Sequence, residues 1–209
     1  GVKTVYKLQT SSGHSLRLTG NHPVLRVVSQ NRDAETTEWV EAAQLQPGDQ
    51  IKLQNHRDFV GWDGTGSDAQ GWLLGLLVGD GTFADERAVL SFWGASADYM
   101  AQRALGTLKE TLKSRSDLGI SRIEERDELR LRSAALRDLA AAFGIEQGRK
   151  TISDAIERAS SAFAQGFLRG LFDADGTVLD GGEKGLSVRL AQSDLALLER
   201  AQRMLLRLG

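Results

Sequence analysis

AQGWLLGLLVGDGTF at residues 69–83 and AQGFLRGLFDADGTV at residues 164–178 align without a gap at a constant offset of 95. Nine of the fifteen positions are identical: Ala69, Gln70, Gly71, Leu73, Gly75, Leu76, Asp80, Gly81 and Thr82 recur as Ala164, Gln165, Gly166, Leu168, Gly170, Leu171, Asp175, Gly176 and Thr177. The order of the elements downstream repeats as well. Alternating strand-like sequence and then a helical pattern come after the first copy (89–93, then 98–112) and after the second (186–190, then from Asp194). One supersecondary unit used twice predicts a pseudo-twofold arrangement.

Within each copy small residues stand at every fourth position: Gly71, Gly75 and Gly79 in the first, Gly166, Gly170 and Ala174 in the second. Glycine inside a helix costs about 1 kcal/mol relative to alanine, so several in matching register need a compensating contact. A stripe of small residues supplies one by letting two helix backbones approach closely. Asp68 is placed to cap the first helix, over 69–78. Each helical pattern closes on Asp-Gly, where Gly81 and Gly176 are expected in the left-handed terminating conformation. If the stripes pack together, Asp80 and Asp175 emerge side by side at one end of the pair. Two carboxylates near negative helix ends repel each other and favour a divalent cation. A single Asp-Gly at a helix end is an ordinary turn. Its recurrence by symmetry favours the functional reading.

LLGLLVGDG at 73–81 and LRGLFDADG at 168–176 resemble the motif of LAGLIDADG homing endonucleases. The second match is close. The first departs at Val78 and Gly79 but keeps its aspartate. The resemblance implies that Asp80 and Asp175 are catalytic carboxylates that hold Mg²⁺, with the Gly79 and Ala174 carbonyls as further ligands, in hydrolysis of both strands of DNA. It also implies that the strands after each motif form a saddle over the DNA. Arg130 and Arg132, alternating with Leu129 and Leu131, and Arg189, between Val188 and Leu190, fit such a face. Lys150, in GRKTIS, stands where related enzymes place a functional lysine, with Ser153 at a position where proline is usual.

The first 53 residues have a different character. Alternation over 2–10 and 16–18, then 24–28, 39–40 and 51–53, with turns at 11–13, 20–23 and 47–49, reads as an all-β module. LRLTGNHPVL at 16–25 resembles the intein motif in which a threonine and a histidine three residues later act on the upstream splice junction. Thr19 and His22 occupy those positions, and an imidazole near neutral pKa can shuttle the proton. WVEAAQLQPGDQIKL at 39–53 resembles the next strand–turn–strand of the hedgehog/intein fold. His14 and His56 have no such context and are assigned nothing.

The expected fold class is therefore α+β. Residues 1–53 are expected to form part of a splicing domain, 54–67 a linker rich in glycine and aspartate, and 68–209 a pseudo-twofold α/β endonuclease whose second half is expected to be truncated at its C-terminal end. With no splice-junction residues in the sequence, the chain by itself is not expected to splice. The expected partners are double-stranded DNA of the host allele lacking the element and the flanking host protein in cis. The expected host class is nucleotide and DNA metabolism enzymes such as ribonucleotide reductases, and the expected state a monomer.

Composition narrows the alternatives. The 209 residues are 41% hydrophobic and carry a net charge of −2, which excludes a uniformly basic nucleic-acid binder but not a locally basic face. The absence of cysteine excludes disulfides and thiolate metal sites. No apolar run is long enough for a membrane span and no signal peptide is visible, so no membrane partner and a cytosolic setting are expected. LFDADGTVLD at 171–180 also resembles the nucleophile loop of haloacid-dehalogenase-type phosphatases. That chemistry needs Asp173 at the end of a buried β-branched strand, and the preceding residues 166–170 are Gly-Phe-Leu-Arg-Gly. Aspartic proteases use Asp-Thr-Gly or Asp-Ser-Gly after strands, whereas the order here is Asp-Gly-Thr after helices. A DNA-binding insert of the same fold without catalysis is the remaining alternative.

Overall fold

A computed structural model describes residues 2–54, 56, 61–112, 118–182 and 185–209. The chain divides into two compact units, Gly1–Asp58 and Phe59–Gly209.

The first unit is made of β-strands with one 3-10 turn, Ala42–Gln44, among its described residues. Strands β1 (Val5–Gln9) and β2 (Ser15–Thr19) pair antiparallel from Val5↔Thr19 to Gln9↔Ser15. A three-stranded sheet has the order β4 (Glu35–Glu41), β3 (Pro23–Gln30), β5 (Gln50–Ile51), with a bulge between Val27 and Ser29. Arg26 on β3 ties this sheet together, since its guanidinium pairs with Glu38 and, at 3.4 Å, with Asp49.

The second unit is built on two helices, α1 (Asp68–Gly79) and α5 (Ser161–Asp175). Trp72, Leu73, Leu74 and Leu77 of α1 and Phe163, Phe167 and Leu171 of α5 are fully buried. Helix α1 is apolar around most of its circumference because neighbours enclose it. Four antiparallel strands lie in the order β6 (Thr82–Ala84), β7 (Arg87–Phe92), β9 (Glu128–Ser133), β8 (Ile120–Ile123). Leu90 and Phe92 oppose Leu131 and Leu129 and join the core together with α2 (Ala97–Leu112) and α3 (Ala134–Ala142). The short α4 (Asp154–Glu157) precedes α5. After α5 come the hairpin β10 (Gly176–Asp180)–β11 (Leu186–Leu190) and α6 (Leu195–Leu208), which repeats β6–β7–α2.

The glycine stripes face each other as their spacing requires. A β-carbon added at Gly71 would collide with the Phe163 carbonyl and lie 2.8 Å from the Phe167 nitrogen; at Gly75 it would collide with the Phe167 carbonyl and lie 2.7 Å from the Leu171 nitrogen. The second stripe reciprocates, with Gly166 against the Asp68 carbonyl and Gly170 against that of Trp72. Subtracting the offset of 95 maps Phe163 onto Asp68 and Phe167 onto Trp72, so each contact is the symmetry mate of another. The repeat in sequence is a twofold in space.

Two local expectations are corrected. Helix α1 is capped by Ser67, whose hydroxyl accepts from Gln70 N while Gln70 Oε1 accepts from Ser67 N at 3.0 Å. This is a reciprocal capping box, and Asp68, the first helical residue, directs its carboxylate to Arg169 at 2.7 Å across the helix pair. Neither Gly81 nor Gly176 is left-handed. Gly81 has no positive φ, and Gly176 has φ −77° and ψ 151°. Each chain turns straight from helix into strand, and glycine is needed for closeness instead: a β-carbon at Gly81 would lie 2.6 Å from Leu77 Cα, and one at Gly176 would lie 3.1 Å from Phe172 Cα.

Residues 61–66, inside the segment read as a linker, are bound to the second unit. Trp62 N donates to Ser161 Oγ at 2.8 Å, Ser160 N donates to the Thr65 carbonyl at 3.1 Å, and Ser160 Oγ donates to the Gly66 carbonyl at 2.7 Å. The rest of that segment lies mainly outside the described residues.

Candidate functional site

The glycine contacts put the C-terminal ends of α1 and α5 together. A β-carbon at Gly79 would lie 2.5 Å from Ala174 Cβ and 3.2 Å from Asp175 Oδ2. Asp80, the C-cap of α1, and Asp175, the last residue of α5, therefore end the two helices as neighbours. Partial burial pushes the Asp80 carboxyl above its ordinary range, and the Asp175 charge pushes it further, while Lys150 opposes. Burial likewise raises Asp175, against a hydrogen bond from Gln192 and the charge of Lys150. Two carboxylates are held where ionisation is costly unless a cation is supplied.

Lys150 supplies part of that charge. It lies in the loop before α4, and its Nζ donates to the Gly79 carbonyl at 3.1 Å and to the Gly81 carbonyl. Burial holds its pKa below the usual lysine range, opposed by Asp175 and Asp80. Ser153 shapes this loop: its hydroxyl accepts from Ile156 N at 3.2 Å, capping α4, and donates to the Phe143 carbonyl. The ammonium thus sits over the end of α1, on the Gly79 carbonyl expected to serve a metal ion.

Gln192 is the site residue that sequence reasoning misses. Its Nε2 donates to Asp175 Oδ2. It stands between β11 and α6 in no motif, and only the course of that loop reveals it. Asp173 is exposed within α5 and accepts from Trp72 Nε1 at 2.8 Å, and the Arg103 guanidinium stacks 4.3 Å from the Trp72 ring. It is a helical residue, not the strand-end nucleophile that phosphatase chemistry requires. A cavity of about 220 Å³ opens beside Asp80, with Trp93, Ser96 and Asp173 in its wall.

The arginines occupy distinct settings. Arg130 and Arg132 lie on the face of β9 opposite Leu129 and Leu131, as the alternation requires. Arg130 is bidentate to Glu128, and Arg132 lies 3.6 Å from Asp85. Arg189 is exposed on β11, paired with Thr177. In the first unit, Thr19 and His22 flank the turn from β2 to β3: His22 N donates to the Thr19 carbonyl at 2.9 Å, and the His22 carbonyl accepts from Ala42 N at 2.9 Å.

The donor set available to a cation is all oxygen: two carboxylates plus the adjoining carbonyls. That chemistry suits a hard divalent ion. Among the described residues no group of three or more His, Cys, Asp or Glu is close enough to hold a metal without further ligands.

Residues 162–209 match the family described as a LAGLIDADG-like domain. Across its whole length the chain is 30% identical to a segment of the replicative DNA helicase DnaB of Rhodothermus marinus, of which it spans 22%. It is 31% identical over 64% of its length to a segment of the DNA polymerase of Thermococcus litoralis, of which it spans 8%. It is 24% identical over its whole length to a DNA gyrase subunit of Mycobacterium gordonae, of which it spans 38%. Among solved structures, a variant of I-DmoI in complex with its target DNA in the presence of Mn matches at 21% identity and a TM-score of 0.47, covering 66% of this chain and 74% of that one. The second half of the repeat, with Asp175 and Gln192 in it, is thus similar to the LAGLIDADG-like domain family.

Proposed function

We infer that the chain is part of an intein carrying a site-specific, double-strand DNA endonuclease of the LAGLIDADG type. The observation that carries this reading is the symmetric packing of α1 on α5, which sets Asp80 and Asp175 together beside Lys150. A duplex has two antiparallel strands related by a local twofold, and a pseudo-twofold carboxylate pair offers one group to each. Asp80 and Asp175 would hold Mg²⁺, with the Ala174 carbonyl adjoining them and that of Gly79 shared with Lys150. When bound, the ion supplies charge for the scissile phosphates and acidifies water. Lys150 places positive charge at the same point and orients the end of α1. The Gln192 hydrogen bond favours the ionised form of Asp175 against the effect of burial. The cavity beside Asp80 leaves room for a phosphate. Arg130, Arg132 and Arg189 bind the DNA, and residues 68–209 form the endonuclease.

The splicing part rests on other support. Segments similar to this chain lie within a helicase, a DNA polymerase and a gyrase, three proteins with different activities. A sequence that recurs inside unrelated hosts behaves as an inserted element. Thr19 and His22, three residues apart across one turn, are the pair that would act on the upstream junction.

The test is to express the whole open reading frame that encodes the chain and incubate it with duplexes carrying a randomised central segment, in Mg²⁺ and in EDTA. Sequencing of the ends is expected to show one Mg²⁺-dependent double-strand cut in a defined sequence. Sequence-selective binding without any cut would replace this reading with that of a non-catalytic DNA-binding insert.

A further inference from the structure

Glu128 is an anomaly on the outer face of the four-stranded sheet. Its side chain is only 2% exposed, and it lies on the face opposite the core leucines of β9. A carboxylate covered from solvent by its neighbours needs strong partners. It has Arg130, whose Nε donates to Oε1 at 2.6 Å and whose Nη2 donates to Oε2 at 2.8 Å. The Arg130 hydrogen bonds, with a further one from Ser91, hold its carboxyl below the usual range. The guanidinium is gripped along one edge and stands between Ser91 of β7 and Ser121 of β8, its cross-strand neighbours. Among the described residues Nη1 has no protein partner.

This arrangement is unsuited to a phosphate contact. A buried carboxylate cancels most of the charge that would attract the backbone, and surface pairs formed for solubility are not buried on one side. What the pair provides is direction: a guanidinium that cannot swing, with the Nη1–Nη2 end free to donate two parallel bonds. Two parallel donors match the O6 and N7 acceptors of guanine in the major groove. We propose that Glu128 is a positioning residue that presents Arg130 to a single guanine of the DNA target. The inference rests on the DNA-binding reading above and specifies which residue reads a base and what holds it.

The whole protein and its Glu128→Gln and Arg130→Lys variants are used to select bound duplexes from a pool with a randomised central segment. Wild type is expected to enrich one sequence that includes a guanine lost from both selections. Glu128→Gln, which frees a positive charge, is expected to bind unselected duplex more tightly, with a steeper salt dependence, while discriminating that base pair roughly tenfold less. Arg130→Lys keeps the charge without the fork and is expected to lose the same position alone, which guards against misfolding of the first variant. Opposite signs for affinity and discrimination are an outcome that a merely structural role does not produce. If both variants retain every selected position, or weaken binding equally for all sequences, the inference is overturned while the DNA reading stands. If wild type selects nothing, both fail.

Discussion

Asp80 and Asp175 lie where burial raises their pKa values, so in the absence of a cation their charges weaken the fold. For a carboxyl raised in the folded state, this cost is present above the folded pKa and disappears below the unfolded one, about 3.9. Asp80→Asn is therefore expected to raise the Tm near pH 7 in EDTA, with the gain shrinking on acidification and gone below that value. An unchanged or lowered Tm at neutral pH would contradict the electrostatic account. Gln192 acts in the other direction, since its hydrogen bond lowers Asp175. Gln192→Ala is expected to move the acid limb of the cleavage pH profile to higher pH, and an unmoved limb would remove Gln192 from the site. The two aspartates are legible because the repeat marks them, and Lys150 only through the resemblance of GRKTIS to a segment of related enzymes. Gln192 and Glu128 are not, because one depends on the course of a loop and the other on cross-strand register.

Helices α1 and α5 were legible as elements, since glycine in fourfold register has few explanations other than a close helix crossing. The strength of that contact can be measured by contrast. Gly75→Ala drives a methyl into the Phe167 carbonyl and is expected to cost about 2 kcal/mol or more. Gly106 in α2 has nothing within 4 Å of an added β-carbon, so Gly106→Ala is expected to stabilise by about 0.5–1 kcal/mol through helix propensity. Denaturant unfolding distinguishes them, and similar effects at both positions would mean that the crossing is not tight. Element ends were less legible. Asp68 looks like a cap in isolation, but the cap is Ser67 because Gln70 completes a reciprocal pair and Arg169 claims Asp68. Ser67→Ala is expected to cost about 1 kcal/mol. Helix α4 spans only Asp154–Glu157, too short to show a period, and residues 61–66 belong to the second unit through hydrogen bonds to Ser160 and Ser161, far away in sequence. No local pattern carries such information.

At the scale of the molecule, an N-terminal β unit precedes a unit in which one helix–hairpin–helix design occurs twice. The first half has four strands, with Glu128 and Arg130 on its outer face; the second half has the β10–β11 hairpin, with Arg189, and Gln192 after it. Common to both are the helix with its terminal carboxylate, the hairpin after it and the helix that follows. In the proposed enzyme neither carboxylate can be spared, because each serves one strand of the duplex. The most direct measurement is strand-resolved cleavage of a selected target in Mg²⁺ by wild type, Asp80→Asn and Asp175→Asn. Wild type is expected to cut both strands, and neither variant is expected to produce a double-strand break, although each binds the target. A variant of either aspartate that still breaks both strands at the wild-type rate would contradict the paired-carboxylate site.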